Sequence, residues 1–557
     1  MPLPRFATVA LMLPLAAAMG CMGSATYPPE SAPTPATGTT TGASPARPLP
    51  PIPEVDGPLA IRVVYPTANS VVTSKDSNFI FGSIGSGKGT LTVNGVSSRV
   101  WPNGAFMLFL PNPPADAPKY ELVAVRGSDT ARATHVIRYP AVAVAQVDSA
   151  VAAPTKPEAQ PTSRADTIAA LNARVDSLRL RLTRDEPVGW VQLGMPNVAT
   201  DTDRTIIGRP IRGGTYKWFF TPGTVVPLLE RSNGSARIRL DRDLDVWVDS
   251  ADAIDLPSDT PAPRRVVSNM RVRGAPLGVD VIMPIGPRAP YFVEERDRAL
   301  VLTLYGTRAN TDIVNFAPQD SMVRTVEWVQ ESPERARITV NLRAQPYGYL
   351  VFWENGNLVL RLRGRPAIDS RHPLAGLTIA VDPGHPPGGA TGPTGLYEGN
   401  ATLMIATQLE RILKERGATV LMTRTTDSAL ALGDRPIMAR KANVNAFVSI
   451  HLNAYPDGVN PFVAPGTGTY FFRVHSEPLA REVQKGMVPQ LGLIDLGVNY
   501  DNLAVVRGTW YPAILCEGAF VILPDQEAAL RTPEYQERYA RGVADGVESY
   551  FRMLPAR

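Results

Sequence analysis

Apolar and polar positions along the chain follow two different patterns. Between residues 58 and 366, short apolar runs are separated by turn residues at intervals of roughly ten positions, which is typical of β-structure. From Leu377 onward, strand-like runs alternate with stretches that carry an apolar residue every three or four positions. The sequence therefore predicts a multidomain chain in which N-terminal β-rich modules precede a C-terminal α/β domain.

The β-patterned part is predicted to contain several modules. Residues 58–140 resemble a bacterial immunoglobulin-like β-sandwich, notably at Val93–Gly95 and Asn103–Phe106. Residues 188–257 resemble a bacterial Src-homology-type small β-barrel. Residues 258–366 are predicted to form a further β-rich module.

Residues 373–557 are predicted to form the α/β domain. Its apolar runs predict strands at 378–382, 419–422, 446–450 and 512–515. The helical periodicity and the residues that start and stop helices predict helices at 400–416, 435–443 and 535–551.

Two segments have the composition of linkers. Proline accounts for 54 of the 557 residues, about twice its usual share, and is concentrated outside the apolar runs. Residues 21–57 are predicted to be a disordered tether rich in Pro, Thr and Ser. Residues 141–187 are predicted to be a linker that contains a short helix, because apolar residues between 166 and 184 follow a heptad pattern.

The N-terminus is patterned as an export signal. Residues 1–20 contain one arginine, then a short apolar run, then small residues, as in a secretory signal peptide. Ala18–Cys21 resembles a bacterial lipobox, which implies lipidation of Cys21 and an exported, lipid-anchored protein, located at the outer membrane and facing the periplasm. The alternative is an ordinary signal peptide that is cleaved nearby, with an incidental cysteine.

Composition and charge narrow the classes of function. The formal net charge is only +4 and no dense run of Lys or Arg occurs, which argues against a nucleic-acid partner. The two cysteines, Cys21 and Cys516, exclude a disulfide-stapled scaffold and a four-thiolate zinc site. Histidine chemistry must come from the five histidines, which are His135, His372, His385, His451 and His475.

Polar residues stand at the ends of predicted strands in the α/β domain, where such folds place their sites. His385 follows one strand, His451 ends another, and Glu517 ends a third. Glu398 lies in a glycine-rich loop before a helix. Two histidines and one glutamate form a known zinc ligand set, and a further carboxylate can take a proton from water. By spacing alone, a structural histidine and a solvated glutamate remain the alternatives.

Several short motifs of the α/β domain occur together and in a fixed order. They are Ile379–His385, Tyr397-Glu398, Thr423-Arg424, Asp434-Arg435 with Ala439–Asn443, Ser449–Ala454 and Cys516–Phe520. In this order they resemble the zinc-dependent N-acetylmuramoyl-L-alanine amidases. Residues 258–366 are similar to the N-terminal β-module that precedes the catalytic domain in some of these amidases.

The resemblance implies a role for each matched residue. It implies that His385, Glu398 and His451 hold zinc (Zn²⁺) and that Glu517 acts as general base and then as general acid. The family cleaves the amide between the lactyl group of muramic acid and the first L-alanine of the stem peptide. The implied substrate is therefore peptidoglycan.

Two further residues have open roles. Asp382 either supports His385 from behind or caps the turn after its strand. Arg507, expected on a strand before the Glu517 strand, either meets a substrate carboxylate or is an ordinary surface arginine.

The sequence predicts a lipid-anchored amidase for cell-wall remodelling or daughter-cell separation. The alternatives are a non-catalytic peptidoglycan-binding scaffold with an amidase-like fold and a zinc peptidase that cuts another stem-peptide bond. The expected partners are peptidoglycan, a membrane reached through the lipid anchor, and a divisome or activator protein. No nucleic acid is expected.

Overall fold

The computed structural model describes residues 47–140, 186–196, 205–317 and 322–555. Four predicted features lie outside the described residues. They are the signal peptide, the lipidation of Cys21, the first part of the tether and the heptad-patterned helix at 166–184. Within the described part of the chain, no helix is both long and apolar enough to cross a bilayer.

The first module is built from two antiparallel sheets. Its strands are β1 (Arg62–Tyr65), β2 (Ser77–Ser83), β3 (Thr90–Val93), β4 (Val96–Ser98), β5 (Ala105–Pro111), β6 (Lys119–Arg126) and β7 (Asp129–Val136). One sheet has the order β1-β2-β5 and the other the order β4-β3-β6-β7. In β6, Tyr120, Leu122 and Ala124 are buried and alternate with more exposed residues, as the two-residue period of a strand requires.

The second module consists of a five-stranded sheet and a strand pair. Its strands are β8 (Gly189–Leu193), β9 (Ile206–Gly208), β10 (Trp218–Phe220), β11 (Thr224–Ser232), β12 (Ser235–Asp241), β13 (Leu244–Asp249) and β14 (Ala253–Asp255). The sheet order is β13-β12-β11-β8-β14, and β10 pairs with β9. Trp218 and Phe220 enter the core of this module, whereas Phe219 points to the other side of its strand.

The third module has a five-stranded and a four-stranded sheet around one core. Its strands are β15 (Val266–Val267), β16 (Met270–Ala275), β17 (Gly278–Pro284), β18 (Tyr291–Arg296), β19 (Ala299–Tyr305), β20 (Arg308–Ala309), β21 (Val314–Phe316), β22 (Val323–Ser332), β23 (Arg335–Leu342), β24 (Gly348–Glu354) and β25 (Asn357–Arg363). The sheet orders are β21-β16-β17-β25-β24 and β18-β19-β23-β22, with β15 paired to β20.

The C-terminal domain has a mixed six-stranded sheet and helices, which confirms the predicted α/β domain. Its elements are β26 (Thr378–Pro383), α1 (Glu398–Glu415), β27 (Thr419–Met422), α2 (Asp434–Lys441), β28 (Ala446–Asn453), β29 (Gly466–Phe471), α3 (Glu477–Leu491), β30 (Ile494–Tyr500), β31 (Ala513–Phe520), α4 (Pro524–Leu530) and α5 (Pro533–Met553). The sheet order is β27-β26-β28-β31-β29-β30. Neighbouring strands are parallel except at β29 and β31.

Sequence analysis did not predict β30 or α4, and it gave no bounds for the strand expected before His475, which is β29, or for the helix expected from Ser476, which is α3. Strand β29 reads GTGTYF and has few apolar residues, so its sequence lacks a clear buried-strand pattern. Helix α3 contains Pro489, a residue that disfavours helix interiors. Tertiary burial of Leu479, Val483 and Met487 on the sheet stabilises this helix in spite of the proline.

The last part of the predicted tether is packed, which corrects the prediction that residues 21–57 are disordered throughout. The Arg538 guanidinium donates hydrogen bonds to the carbonyl oxygens of Arg47, at 3.1 Å, and Pro48, at 2.9 Å. Leu49 and Ile52 pack against the core of the α/β domain. Residues 47–52 therefore lie along the surface of that domain, whereas residues 55–57 hydrogen-bond to the first module.

The β-modules contact opposite ends of the α/β sheet. The first module meets Asp457, in the loop that follows the carboxyl end of β28. The third module meets the amino ends of the strands, where Arg363 donates to the carbonyl oxygens of Val444, at 2.7 Å, and Trp510, at 2.9 Å. The carboxyl ends and the amino ends of the sheet thus have different neighbours.

Candidate metal and catalytic site

The carboxyl ends of three parallel strands place the candidate residues at one edge of the sheet. His385 lies just after β26, His451 lies near the end of β28, and Glu517 lies in β31. His451 and Glu517 are directly opposite each other in the register of the two strands. Glu398 is the first residue of α1, which begins two residues earlier than the helix predicted from the sequence.

The side chains of His385, Glu398 and His451 form one buried cluster. One candidate ligand atom from each residue can be chosen so that all of them lie within 4.8 Å of one another. Oε1 of Glu398 is 3.3 Å from Nε2 of His385 and 3.4 Å from Nδ1 of His451. The imidazole rings are 4.9 Å apart and nearly perpendicular. Two imidazole nitrogens and one carboxylate at this spacing fit a divalent metal ion of the zinc type.

Hydrogen bonds hold two of these side chains in place. Nδ1 of His385 lies 2.9 Å from the carbonyl oxygen of Pro387, and a proton on Nδ1 leaves the lone pair of Nε2 free for a ligand bond. The Glu398 carboxylate accepts hydrogen bonds from the backbone N–H groups of Ala390 and Leu452, both at 3.0 Å. The donor set is thereby preorganised before any ion binds.

The charge state of the cluster follows from its burial and its pairing. Burial alone would raise the pKa of the Glu398 carboxyl, but hydrogen bonds and charge interactions with His385 and His451 lower it below its usual range. Burial disfavours the charged form of His385, yet the adjacent Glu398 raises the pKa of that imidazole overall. Glu398 is therefore the anionic centre of the cluster.

Gly384 allows the two histidines to approach each other. A Cβ atom at this position would lie 2.5 Å from the imidazole ring of His451, well inside van der Waals contact. Gly384 lies between the end of β26 and His385, so the backbone that leads to His385 packs directly against the imidazole ring of His451. This glycine is therefore a steric requirement of the cluster.

Glu517 is the carboxylate with no assigned partner at this edge of the sheet. Its Oε2 atom is buried and has no hydrogen-bond partner among the described residues. Burial and the nearby Glu398 carboxylate raise the pKa of Glu517 well above its usual value. A carboxyl group in this position can exchange a proton with a substrate or a water molecule.

Asp382 lies beneath the cluster, and no hydrogen bond joins it to the His385 side chain among the described residues. Its carboxylate accepts hydrogen bonds from Oγ1 of Thr423 at 2.5 Å, from Oγ of Ser449 at 2.6 Å and from the Arg435 guanidinium at 2.9 Å. Asp382 therefore reaches the His385 segment only through Arg435, and support of His385 and capping of the turn both stay predictions. Asp382 links three neighbouring segments under the site.

Arg435 is a supporting residue whose role sequence reasoning missed. It is fully buried, and its guanidinium donates to the carbonyl oxygens of Pro383 and Pro386, both at 2.8 Å, as well as to Asp382. These carbonyls flank His385, whose backbone has a φ of 54°, a conformation that costs a non-glycine residue free energy. Arg435 thus holds the His385 segment in its strained conformation.

Arg507 lies away from the metal cluster, at the amino end of β31. It follows a short 3-10 helix, Ala504–Val506, so the prediction that it lies on a strand is wrong. Its side chain donates to Oδ1 and the carbonyl oxygen of Asn502 and lines a cavity between modules. The structure therefore separates Arg507 from His385, Glu398 and Glu517.

The side chains of Cys516, His135 and His475 lie outside the metal cluster and have structural roles. Cys516 is fully buried, and burial raises the pKa of its thiol, as does Glu517. His135 contacts the carbonyl oxygen of Pro66, and His475 contacts Glu295. None of these three side chains belongs to the metal cluster.

Comparisons with known proteins cover the C-terminal domain. A sequence profile for a family described as N-acetylmuramoyl-L-alanine amidase matches residues 379–549. The chain is 33% identical over 188 residues to the probable cell wall amidase LytH of Staphylococcus epidermidis strain ATCC 35984, across 33% of this chain and 61% of that protein. It is 33% identical over 184 residues to the sporulation-specific N-acetylmuramoyl-L-alanine amidase of Bacillus subtilis strain 168, across 31% of this chain and 68% of the relative.

Solved structures also resemble about a third of this chain, and one of them is an amidase. The N-acetylmuramoyl-L-alanine amidase of Clostridium difficile 630 is 33% identical, across 32% of this chain and 97% of that chain, with a TM-score of 0.30. This chain spans 61% of the length of the LytH relative.

Proposed function

The chain belongs to the N-acetylmuramoyl-L-alanine amidase family, and on this premise we propose that it hydrolyses the amide between N-acetylmuramic acid and L-alanine in peptidoglycan. The observation that carries this proposal is the cluster of His385, Glu398 and His451 beside a buried carboxylate, Glu517, that has an unpartnered oxygen. A donor set with a free carboxylate nearby is what metal-assisted amide hydrolysis requires.

In the proposed mechanism, His385, Glu398 and His451 would hold zinc. When bound, zinc supplies Lewis-acid polarisation of the scissile carbonyl and lowers the pKa of the attacking water. Glu517 accepts a proton from that water and returns it to the L-alanine nitrogen as the C–N bond breaks. The proton return is essential because an unprotonated amide nitrogen is a poor leaving group. The buried Asp382–Arg435 pair fixes the His385 segment during these steps.

We further propose that the rest of the chain positions this domain at the cell wall. Lipidation at Cys21 would anchor the protein at the outer membrane, facing the periplasm, and the tether would let the folded part reach the wall. The first module would be an immunoglobulin-like sandwich, the second a small barrel and the third an amidase-N-terminal-like module. This arrangement suits wall remodelling or daughter-cell separation, with a divisome or activator protein as a further partner.

The proposal is tested by incubating the zinc-loaded chain that begins after Cys21 with purified peptidoglycan. Mass spectrometry should detect free stem peptides with an L-alanine N-terminus. A Glu517→Gln variant should lose this activity by about 10²–10⁴-fold, since it cannot carry the proton. A matched Glu415→Gln variant, at the exposed end of α1, should retain full activity.

Two other outcomes would redirect the assignment. Intact glycan–peptide bonds, together with sedimentation of the protein with the wall, would contradict amidase activity and favour a peptidoglycan-binding scaffold. Products cut elsewhere in the stem peptide would favour a zinc peptidase.

A further inference from the structure

A large cavity lies where the second module, the third module and the α/β domain meet. Its volume is about 830 Å³. The second module contributes Tyr216 and Phe219, the third contributes Glu295 and Tyr349, and the α/β domain contributes residues that include Arg473 and Arg507. The volume falls in the range of pockets that bind small molecules or short peptides.

This cavity is separate from the metal cluster. It is lined by Trp510 and Tyr511, which precede β31, whereas Glu517 lies near the carboxyl end of that strand. Since a strand rises about 3.3 Å per residue, the six residues from Tyr511 to Glu517 span roughly 20 Å. The cavity and the metal cluster thus occupy opposite ends of the same sheet.

Two guanidinium groups give the cavity a positive wall. Nε of Arg473 donates to the carbonyl oxygen of Arg507 at 3.1 Å, and Arg507 donates to Asn502. Within the described ranges, neither arginine forms an ion pair with a carboxylate at 4.0 Å or less. Their remaining N–H groups are therefore available to an anionic ligand, for which a guanidinium is well shaped.

Aromatic rings support these two guanidinium groups. Arg507 stacks over Tyr216 at 4.7 Å and over Phe219 at 5.6 Å, measured to the ring centroids. Arg473 stacks over Phe472 at 4.7 Å and over Phe219 at 6.0 Å. Phe219 is the residue of β10 that faces away from the core of the second module. The rings hold the cations in place and add an apolar surface beside them.

Near Arg473, the cavity also contains the neighbouring buried side chains of Glu295 and Tyr349. Oε2 of Glu295 contacts Nδ1 of His475 at 3.0 Å, whereas Oε1 has no hydrogen-bond partner among the described residues. The hydroxyl of Tyr349 is likewise buried and unpartnered, and its residue is only 2% exposed. The Tyr349 hydroxyl faces Glu295, so the pair presents a buried carboxylate acceptor to a ligand that carries N–H or O–H groups.

We propose that this cavity is a second binding site for the peptidoglycan stem peptide. Its free carboxylates would pair with Arg473 and Arg507, and its amine or amide N–H groups would donate to Glu295 and Tyr349. Small aliphatic side chains would lie against Phe219. A peptide that bears both carboxylates and amines matches this combination of two guanidinium groups and a carboxylate better than a neutral glycan does.

This inference rests on the proposed function, because it takes the wall polymer as the ligand. A stem peptide held in the cavity would keep the protein on the wall while the metal site, roughly 20 Å away, acts on a neighbouring strand. Such retention raises the effective substrate concentration at the metal site without changing the chemical step. The cavity should therefore matter for insoluble wall and be dispensable for small soluble substrates.

The binding experiment uses the full chain with the Glu517→Gln substitution, so that no turnover occurs. The probe is soluble stem peptides purified from cell wall. Calorimetry should detect binding. An Arg473→Met/Arg507→Met double variant should bind at least tenfold more weakly, while Arg481→Met, an exposed arginine on α3, should bind normally. Unchanged affinity in the double variant, or binding only to peptide-free glycan, would overturn the proposal.

Tyr349→Phe gives a second test that does not depend on the arginine packing. Removing a buried hydroxyl that has no partner should leave the melting temperature unchanged or slightly higher. It should weaken peptide binding about three- to tenfold if the hydroxyl contacts the ligand. A lower melting temperature with unchanged affinity would show a structural role and would overturn the assignment.

Activity separates this inference from the proposed function. With Glu517 intact, the double arginine variant should hydrolyse soluble muropeptides at the wild-type rate and insoluble wall more slowly. Hydrolysis by the wild type without peptide binding to the Glu517→Gln protein would refute the second site alone. Peptide binding that is sensitive to the arginines, without hydrolysis by the wild type, would refute the amidase proposal alone.

Discussion

Glu517 lies directly opposite His451 on the neighbouring parallel strand, in register. This pairing brings a candidate proton carrier next to a candidate metal ligand, although the two residues are far apart in the sequence. It also leaves Oε2 of Glu517 buried and unpartnered near the Glu398 carboxylate. Such a carboxyl group is suited to catalysis and is unfavourable for stability.

The Glu517→Gln variant is therefore expected to be more stable than the wild type. An amide carries no charge, so the substitution relieves both the cost of burial and the repulsion from Glu398. We expect a gain of about 1 kcal/mol in the free energy of unfolding, measured by urea denaturation of the metal-free protein. The control Glu415→Gln should change stability little. A lower stability of Glu517→Gln would mean that Glu517 has a stabilising partner.

Metal retention should depend on the clustered histidines and on no other histidine. After dialysis, His451→Ala should hold less than a tenth of the wild-type zinc, measured by atomic emission, because a ligand and its spacing to Glu398 are lost. His475→Ala is the matched control, since His475 is buried but pairs with Glu295. Equal zinc loss in both variants would argue against the assigned ligand set.

Arg435→Met should destabilise the α/β domain. The substitution leaves Asp382 buried and unpaired, which costs about 3–5 kcal/mol. It also releases the backbone around His385, so zinc affinity should fall as well. The double variant Asp382→Asn/Arg435→Met should recover part of the lost stability, because no uncompensated buried charge remains. Urea denaturation and zinc titration check both effects, and additive losses in the double variant would contradict the argument.

Asp457 should control how the first module sits on the α/β domain. Its carboxylate accepts hydrogen bonds from the backbone N–H of Thr73 at 2.8 Å and from Nδ2 of Asn78 at 3.0 Å, and it also contacts the Tyr65 hydroxyl. Asp457→Ala should leave these donors unsatisfied and increase hydrogen exchange in β1 and β2.

The matched control for this prediction is Asp427→Ala, an exposed aspartate of the same domain. It should leave exchange in the first module unchanged. Equal protection in Asp457→Ala and wild type would show that the shared apolar contacts, which include Phe79 and Phe81, suffice to hold the module.

The junction of the third module should weaken in acid because of Glu295. Burial alone would raise the pKa of Glu295, but His475 and Arg473 lower it to about 2. A lowered pKa means that the ionised form stabilises the fold above the unfolded-state pKa and that this stability is lost as pH falls toward 2. We expect a loss of about 2 kcal/mol between pH 6 and pH 3.

Glu295→Gln isolates this contribution. Its free energy of unfolding should be lower than that of the wild type at pH 6, and the difference should shrink at pH 3, as measured by urea denaturation. Glu294→Gln, at an exposed neighbouring position where water screens the pairing with Arg296, should show a much smaller convergence. A constant difference across this pH range would contradict the lowered pKa.

Much of the α/β domain could be predicted from local pattern. Strands β26, β28 and β31 are nearly continuous apolar runs, because parallel strands are buried on both faces, and this pattern is readable in sequence. The bounds of strand β29 and helix α3 could not be predicted, since their burial depends on neighbours that are distant in sequence. The packed segment 47–57 was missed for the same reason, as its composition resembles that of a flexible linker.

The sequence by itself determined which side chains can do the chemistry. His385, Glu398, His451 and Glu517 stand at strand ends within motifs that occur in a fixed order, and these are properties of residue type and spacing. Only the tertiary structure decided what each supporting residue contacts. Asp382 pairs with Arg435, and Arg507 lines a cavity between modules. A hydrogen bond depends on distances of about 3 Å between atoms, and such distances between remote segments exist only once the chain has folded.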